Sequence, residues 1–295
     1  MAYDNVLPME GSNRVVVRTD HHIGAILVED GKLKPSDIER IIKLQHQSGM
    51  RFGEAARCLG LLRDGDLERA LSKQYDLPQL LPASEGPSSE LVAAHLPLHD
   101  RTEEIRGLRT QLLLRWLDPA AGRRVLAITS PGNGDGRSYV AANLAVVFSQ
   151  LGLRTLLIDA DLRKPRQHRI FNIPDRIGLS GVLAGRADSA AVVPVPGFSK
   201  LSLLPAGAPP PNPQELLSRP VLATLLDELA GKFDLVLLDT SAARIFSDAK
   251  SVAFRAKSAL VLARKNHTRV DETNSMIREL HETGTCVVGT VINSF

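Results

Sequence analysis

Short apolar runs alternate with helix-like patterns through the C-terminal two thirds of the chain. Each run is apolar almost from end to end, which is typical of strands that are buried on both faces. Helical segments between successive strands favour parallel pairing. The pattern therefore predicts an α/β fold, with a mainly parallel sheet covered by helices on both faces. The runs lie at residues 125–129, 155–159, 201–204, 235–239, 259–262 and 286–293.

The N-terminal part of the chain has a different pattern, because it repeats itself. One copy runs from His22 to Gln45 and the other from Arg51 to Gln74, with glycine and apolar residues at the same spacing. In each copy, a glycine, a turn and apolar residues four apart predict a short helix followed by a longer amphipathic helix. Pro35 suits the first position of one long helix. A small helical domain is therefore predicted ahead of the sheet.

Composition indicates where these regions begin and end. The first twenty residues are rich in turn-forming side chains and predict a flexible tail, although Val15–Val17 could form a short strand. Proline and serine are frequent from Pro78 to His99, which favours a connector over a long helix. The predicted organisation is a tail at 1–20, a repeat domain at 21–80, a linker at 81–100 and the α/β domain at 101–295.

A glycine-rich segment follows the first predicted strand. It reads Gly134-Asp135-Gly136-Arg137-Ser138 and leads into a helix that is predicted to start near Tyr139. Glycines let successive backbone N–H groups surround a phosphate, and a helix N-terminus adds partial positive charge. The consensus G-x-x-x-x-G-K-[ST] fails twice, since Pro131 replaces a glycine and Arg137 replaces the lysine. Taken alone, the segment fits an ordinary strand-to-helix loop equally well.

Carboxylates follow two other predicted strands. Asp159 and Asp161 end the second run, and Asp239 ends the fourth. A single aspartate after a strand is more often a helix cap than a catalyst. The carboxyl ends of parallel strands meet at one edge of the sheet, so these residues are expected beside the glycine-rich segment. There they could hold Mg²⁺ through water and polarise an attacking hydroxyl group.

Several segments together resemble the bacterial tyrosine (BY) kinases of capsule and exopolysaccharide export, which are P-loop NTPases related to the MinD/ParA ATPases. Leu157–Pro165 resembles their Walker A′ motif, and Leu237–Thr240 resembles Walker B. Pro211–Leu217 resembles their P-N-P-x-E-L-L segment. Glu103, Arg106 and Arg109 match their E-x-x-R-x-x-R helix, which implies contacts between subunits of a homo-oligomer.

This resemblance implies ATP and Mg²⁺ as cofactors and a role for each matching residue. Ser138 would ligate Mg²⁺, Asp161 would support the metal network, and Asp239 would bind the ion through water. Asp159 would be the base toward a tyrosine hydroxyl, with Arg137 and Asp161 as the other candidate catalytic residues. The implied nucleotide-binding residues are Gly134, Asp135, Gly136, Arg137, Ser138, Tyr139 and Asn293, of which Asn293 would read the adenine edge.

The repeat resembles the MshEN-like N-terminal domain of type II secretion ATPases, whose tandem motif of arginine, apolar residue and glycine ends in glutamine and binds cyclic di-GMP in some members. His22 replaces the expected arginine, and Lys32 stands where an aliphatic residue would pack on the ligand. The repeat therefore fits either a docking module or a surviving cyclic di-GMP site. The residues of that site would be His22, Gly24, Gln45, Arg51, Gly53 and Gln74.

Composition narrows the function classes. The formal charge is +3 with both signs dispersed, which does not favour nucleic acid as a partner. The two cysteines are far apart, which predicts no disulfide framework and fits a cytoplasmic protein. No apolar stretch approaches the roughly 20 residues that span a bilayer. We therefore expect a cytoplasmic protein that reaches the inner membrane through a partner.

Two hypotheses follow. The combination of Gly136-Arg137-Ser138 with the repeat module resembles EpsG-type chain-length-determinant tyrosine kinases, which implies an ATP-dependent tyrosine autokinase. Its partner would be a membrane chain-length determinant, or polysaccharide co-polymerase, in exopolysaccharide synthesis. The alternative is a catalytically weak, nucleotide-gated switch that senses cyclic di-GMP or docks a partner. One observation supports this alternative, namely that the usual tyrosine cluster is missing. The tyrosines of the sequence are Tyr3, Tyr75 and Tyr139.

Overall fold

The computed structural model describes residues 23–63, 65–67, 70–71 and 86–294. Contacts divide the chain into two units, residues 1–76 and 77–295. The expectations for the tail at 1–20, Tyr3, His22, Gln74 and Tyr75 fall outside the described residues. Within the described part of the chain, no helix is long and apolar enough to cross a membrane.

The N-terminal unit shows the repeat directly in its backbone. Gly31 and Gly60 occupy equivalent turns with the same φ of 67°, in the left-handed region that favours glycine. In each copy, the amide after the glycine donates to the carbonyl four residues before the glycine, at 2.9 Å in the first copy and 3.0 Å in the second. The two halves therefore share one local fold. Three helices of this unit have described bounds, α1 (Ile23–Glu29), α2 (Pro35–Ser48) and α3 (Phe52–Cys58).

A seven-stranded sheet forms the centre of the larger unit. All neighbouring strands are parallel except β3 and β4, and the order across the sheet is β3-β4-β2-β5-β1-β6-β7. Every apolar run forms a strand, and β3 is the one strand among the described residues that the runs did not predict. The strands are β1 (Val125–Thr129), β2 (Thr155–Asp159), β3 (Val193–Pro194), β4 (Leu201–Leu204), β5 (Leu235–Asp239), β6 (Ser258–Arg264) and β7 (Cys286–Asn293).

Helices cover both faces of this sheet, as predicted. Successive strand residues enter opposite layers of the core, so Leu126 and Ile128 pack in one apolar cluster while Ala127 packs in the other. The helices are α4 (Val92–His95), α5 (Asp100–Arg115), α6 (Arg137–Ser149), α7 (Gln167–Ile170), α8 (Leu179–Leu183), α9 (Pro213–Ser218), α10 (Pro220–Lys232), α11 (Asp248–Ala256) and α12 (Val270–Glu282).

The linker predicted at 81–100 needs correction at its C-terminal end. Leu91 and the apolar residues of α4 are buried in the core of the larger unit. The Asn143 carboxamide on α6 accepts from the Ala93 amide at 2.9 Å and donates to the Glu90 carbonyl at 2.9 Å. This segment is therefore part of the α/β unit. The frequent prolines and serines around it obscured its short apolar stretch.

Candidate active site

The glycine-rich segment lies between β1 and α6, at the carboxyl edge of the sheet. Gly134 and Gly136 have φ of 77° and 97°, a left-handed backbone conformation that residues with a Cβ atom rarely adopt. Asp135 braces this turn from inside, since its carboxylate accepts from the Gly132 amide at 2.8 Å and from the Thr268 hydroxyl at 2.7 Å. The loop is therefore held open around the start of α6.

A cavity of about 530 Å³ adjoins this loop. Its wall combines the loop and the start of α6 with the turn after β2, the segment before α5 and the first turn of α5. Most of the charged side chains are basic, and Asp161 and Glu90 are the two acids that line it. Such a cavity suits a polyanion. The lining residues are Ser89, Glu90, Val92, Arg101, Asn133, Gly134, Gly136, Arg137, Ser138, Tyr139, Asp161, Lys164 and Arg166.

Arg137, in the lysine position of the loop, is turned toward the protein. Its side chain is nearly buried, with 8% of the residue exposed. Nε donates to the Thr240 carbonyl at 2.7 Å, and Nη1 donates to the Gly132 carbonyl at 2.5 Å and to the Ser130 hydroxyl. Arginine's fork lets one side chain tie the loop to the end of β5. The guanidinium thus has protein acceptors before any phosphate binds.

Asp159 and Asp239 are brought together by the sheet. The two strands that they end, β2 and β5, are parallel neighbours, and the two aspartates are paired in register. Both residues are fully buried. Asp159 accepts backbone N–H groups of Arg166 at 3.0 Å and Gln167 at 2.9 Å on Oδ2, and of Asp161 at 3.2 Å on Oδ1. The loop after β2 is thereby wrapped around this carboxylate.

Burial controls the protonation of these two carboxyl groups. It raises the pKa of Asp159 well above its ordinary value, and the negative charge of Asp239 adds to the rise. Burial likewise raises the pKa of Asp239 to about 6, although the hydrogen bond from Gln167 opposes the rise. A group with a raised pKa holds a proton more strongly than an ordinary aspartate does. Both carboxylates are therefore well suited to take up a proton or a cation.

Gln167 joins the three motifs, and sequence reasoning missed it. Its fully buried side chain donates from Nε2 to Asp239 Oδ2 at 2.7 Å and to the Ser138 carbonyl at 3.1 Å. Its own backbone N–H binds Asp159, as described above. The sequence carries no consensus position for it. The signal available was a polar residue among basic ones at the start of the short helix after Walker A′.

The residues predicted to hold Mg²⁺ fit a hydrated ion better than a closed protein site. No group of three or more His, Cys, Asp or Glu side chains among the described residues could hold a metal alone. Mg²⁺ bound with a nucleotide usually keeps several waters and needs only one or two carboxylates. Two buried oxygens, Asp239 Oδ1 and Gln167 Oε1, have no hydrogen-bond partner among the described residues. Water molecules of a hydrated ion would supply the missing donors.

A second, smaller cavity of about 280 Å³ lies on the side where the adenine site was predicted. Asn293, at the end of β7, lines it and donates from Nδ2 to the Asp135 carbonyl at 3.0 Å. Tyr139 and Arg101 line both cavities. Asn293 and Tyr139 thus line the same smaller cavity, and Tyr139 also lines the larger one. Their contacts with a base stay a prediction.

Relatives of the chain are found among bacterial kinases. CapB of Staphylococcus aureus is 31% identical over 203 residues, which cover 67% of this chain and 88% of CapB. The chain belongs to the bacterial tyrosine kinase (BY kinase) family. The tyrosine-protein kinase Wzc of Salmonella typhimurium is 34% identical, but the match covers 70% of this BY kinase and only 28% of Wzc. The chain therefore spans little more than a quarter of that longer relative. No protein-family model matches the sequence.

Solved structures agree with this assignment. The kinase domain of the Escherichia coli tyrosine kinase ETK has a TM-score of 0.65 and 29% identity, and the match covers 69% of this BY kinase and 79% of that domain. The cell division ATPase MinD of Pyrococcus furiosus has a TM-score of 0.52 and 26% identity over 58% of this chain. The predicted fold class, a P-loop NTPase of the MinD-related kind, is therefore confirmed. The MshEN-like assignment receives no support from these relatives.

The helix predicted to contact other subunits is α5 of this BY kinase. Glu103 and Arg106 form an ion pair on it. Arg109 points to its own chain instead, where Nη1 donates to the Val147 carbonyl on α6 at 2.9 Å. Burial, followed by the charge of Arg106, lowers the pKa of Arg109. The structure thus gives Arg109 an internal role, and the subunit contact stays a prediction.

The glycines predicted to bind cyclic di-GMP are packing residues in the N-terminal unit. A Cβ on Gly53 would lie 2.3 Å from the Leu67 side chain, and one on Gly24 would lie 3.4 Å from Ile38. Arg51 precedes α3, where its backbone amide donates to the Glu54 carboxylate at 2.9 Å and its side chain is exposed. Gln45 is half-buried on α2. A ligand site at these residues stays a prediction.

Proposed function

We propose that this BY kinase transfers the γ-phosphoryl group of ATP to a tyrosine hydroxyl. The observation that carries the proposal is the in-register pair of buried carboxylates, Asp159 and Asp239, at the carboxyl edge of the sheet where the glycine-rich loop borders a basic cavity. Membership of the tyrosine kinase family supports the same reaction. Bound Mg²⁺ would neutralise part of the phosphate charge.

The chain's own residues would divide the remaining work. Backbone N–H groups of the loop and the start of α6 would hold the phosphates, and Ser138, Asp161 and Asp239 would hold the hydrated ion. Asp159, whose pKa is raised by burial, would accept the hydroxyl proton. The tyrosine oxygen would then form a bond to the γ-phosphorus. The bond between the γ-phosphorus and the β–γ bridging oxygen would break, which releases ADP. This division makes Asp159 the residue whose loss separates binding from transfer.

The biological setting that we propose is exopolysaccharide synthesis. The motif segments around Glu103–Arg109 and Pro211–Leu217 support this setting, because they resemble kinases of polysaccharide export. The protein would act in the cytoplasm at the inner membrane and form a homo-oligomer. It would work with a membrane chain-length determinant, the polysaccharide co-polymerase, and would thereby regulate chain length or export.

The acceptor that we propose within this chain is Tyr3. Tyr139 is half-buried between the two cavities, and burial raises the pKa of its hydroxyl. In this proposal, Tyr139 would contact nucleotide and would not enter the active site of another subunit. Tyr3 and Tyr75 lie outside the described residues, and only Tyr3 belongs to the predicted tail.

A radiolabelling assay tests the kinase proposal. The intact chain is incubated with Mg-ATP labelled at the γ-phosphate, with and without the cytoplasmic segment of the membrane partner. Label on tyrosine is expected in the parent protein and in Asp227→Asn, an exposed aspartate on α10, but not in Asp159→Asn. Tyr3→Phe should lose the label carried by this chain. Label that persists in Asp159→Asn would contradict the assignment of the base.

A nucleotide-gated switch is the second candidate function. The inward position of Arg137, with its guanidinium on Thr240 and Gly132, favours it, since phosphate would meet a cation that is already engaged. In this alternative, ATP would bind and change assembly without phosphoryl transfer. Nucleotide-dependent oligomer mass with no labelled tyrosine in any sample would favour the switch over the kinase.

We also propose cyclic di-GMP or a docked protein as the ligand of the N-terminal unit. Calorimetric titration of the intact chain with cyclic di-GMP distinguishes these outcomes. A dinucleotide site predicts saturable heat that is lost in Arg51→Ala and retained in Lys43→Ala, a substitution on the exposed side of α2. Heat that is absent, or unchanged by Arg51→Ala, leaves the docking role.

A further inference from the structure

The cavity at the glycine-rich loop raises the question of which cation meets the phosphates. In the consensus loop, a flexible lysine has this task. Here Arg137 takes the lysine position, but its Nε and Nη1 atoms already donate to Thr240, Gly132 and Ser130. Moving the guanidinium toward a phosphate would take the Nε donor away from the buried Thr240 carbonyl, which is costly. Arg137 therefore acts first as a brace of the loop.

Three other basic residues line the same cavity, and two of them have partners. The Arg166 guanidinium donates from Nη2 to both Glu90 carboxylate oxygens, at 2.7 and 3.0 Å. Arg101 lies within hydrogen-bonding reach of the Tyr139 hydroxyl, whose pKa it lowers against the larger effect of burial. Lys164 is exposed and forms no ion pair with any described residue. Of the three, Lys164 has the ammonium that needs no release before it can bind.

We propose that Lys164 supplies the phosphate-binding cation that the loop lacks. The inference rests on the proposed binding of ATP and assigns a residue to that same site. The lysine of the consensus loop would be replaced by a lysine three residues beyond Asp161 that lines the same cavity. Arg137 then keeps the loop in shape while Lys164 contacts the nucleotide.

The backbone at Lys164 is already positioned for this role. Its amide donates to Asp161 Oδ1 at 2.9 Å, and the Arg163 amide donates to the same oxygen at 3.2 Å. Arg163 is itself anchored, since its guanidinium binds the buried Asp248 carboxylate at 2.6 and 3.1 Å. Hydrogen bonds therefore hold the backbone of the Walker A′ turn, while the Lys164 side chain is exposed and lines the cavity. A compact ammonium on a flexible stem can follow the terminal phosphate.

The test compares nucleotides that differ in phosphate number. Affinities of the intact chain for fluorescent ATP and ADP analogues and for adenosine are measured in Lys164→Ala and Lys164→Arg. The matched control is Lys200→Ala, an exposed lysine just before β4, at the opposite edge of the sheet. We expect Lys164→Ala to weaken ATP binding about tenfold or more, ADP binding less, and adenosine binding not at all. Lys164→Arg should recover part of the loss.

The outcomes separate this proposal from the proposed function. If ATP binds Lys164→Ala as tightly as the parent while Arg137→Met loses the preference for ATP over adenosine, Lys164 is not the cation and Arg137 is. If the parent chain shows no saturable ATP binding, the kinase proposal and the Lys164 proposal both fail. Equal weakening by Lys200→Ala would show a nonspecific charge effect and would also overturn the assignment.

Discussion

The two units of this chain use motif glycines for opposite purposes. In the larger unit, Gly134 and Gly136 adopt φ of 77° and 97°, and the loop that they turn borders a basic cavity. In the N-terminal unit, Gly24 and Gly53 are buried in helices, where the absent side chain leaves room for a neighbouring helix. The same residue type thus indicates a binding loop in one unit and a close contact in the other. Backbone conformation and the nearest atoms distinguish the two roles.

Among the predicted changes, removal of the proposed base in the larger unit should have the largest effect, and it should act on phosphoryl transfer. We expect Asp159→Asn to lower tyrosine phosphorylation by about 10²–10⁴-fold while ATP still binds, because the carboxamide cannot accept the hydroxyl proton. Single-turnover labelling and nucleotide titration together measure this separation. A variant that loses both binding and transfer would show that Asp159 holds the fold of the loop instead.

The packing glycines should respond unequally to alanine. Gly53→Ala places a Cβ 2.3 Å from the Leu67 side chain and should destabilise the N-terminal unit by about 1–3 kcal/mol. Gly24→Ala meets only ordinary contacts at 3.4 Å and should be neutral or stabilise by up to about 1 kcal/mol, since alanine favours a helix. Urea unfolding of the intact chain reports both values. Equal destabilisation would mean that the two copies pack alike.

Substitution of Gln167 should have a smaller effect, and it should act on the Mg²⁺ dependence of nucleotide binding. Gln167→Leu removes the donor to Asp239 and the buried oxygen that lacks a partner, so we expect about tenfold weaker dependence of nucleotide affinity on Mg²⁺. Affinity without Mg²⁺ should change less. Gln214→Leu, at an exposed position on α9, is the matched control. Equal losses with and without Mg²⁺ would place Gln167 in loop structure alone.

The pH dependence of stability should give the smallest effect. Because the folded pKa of Asp239, about 6, lies above its ordinary value of 3.8, the ionised carboxylate destabilises the nucleotide-free fold. This cost is fully present above the folded pKa and is relieved as the pH falls through about 6 toward 3.8. As the pH falls from 7.5 to about 5, the free energy of unfolding of the parent should therefore rise relative to that of Asp239→Asn. A difference that does not vary with pH would contradict the raised pKa.

Sequence patterns predicted most of the fold and part of the site. Five of the six apolar runs form strands that are mostly buried in the covered sheet, whereas the sixth, β7, lies at the sheet edge and is partly exposed. The strand β3 escaped, since it has two residues and one is a proline. The helix α4 was missed because prolines and serines surround its short apolar stretch, and because the backbone there is held by a distant side chain, that of Asn143. The cause of the first miss is local, whereas the Asn143 contact lies 50 residues along the chain from Ala93.

The sequence by itself determined the local features of this protein. They are the repeat with its turn glycines, the apolar strands and the glycine-rich loop with an arginine in the lysine position. Local geometry decides them, because periodicity and φ preferences act over a few residues. Only the tertiary structure decided that Asp159 and Asp239 lie in register, because β2 and β5 are neighbours in space and not in sequence. It also decided that Gln167 joins them and that Arg137 faces inward. Gln167 and Asp239 are separated by 72 positions in the sequence, and Arg137 and Thr240 by 103. No local sequence pattern can specify contacts over such separations.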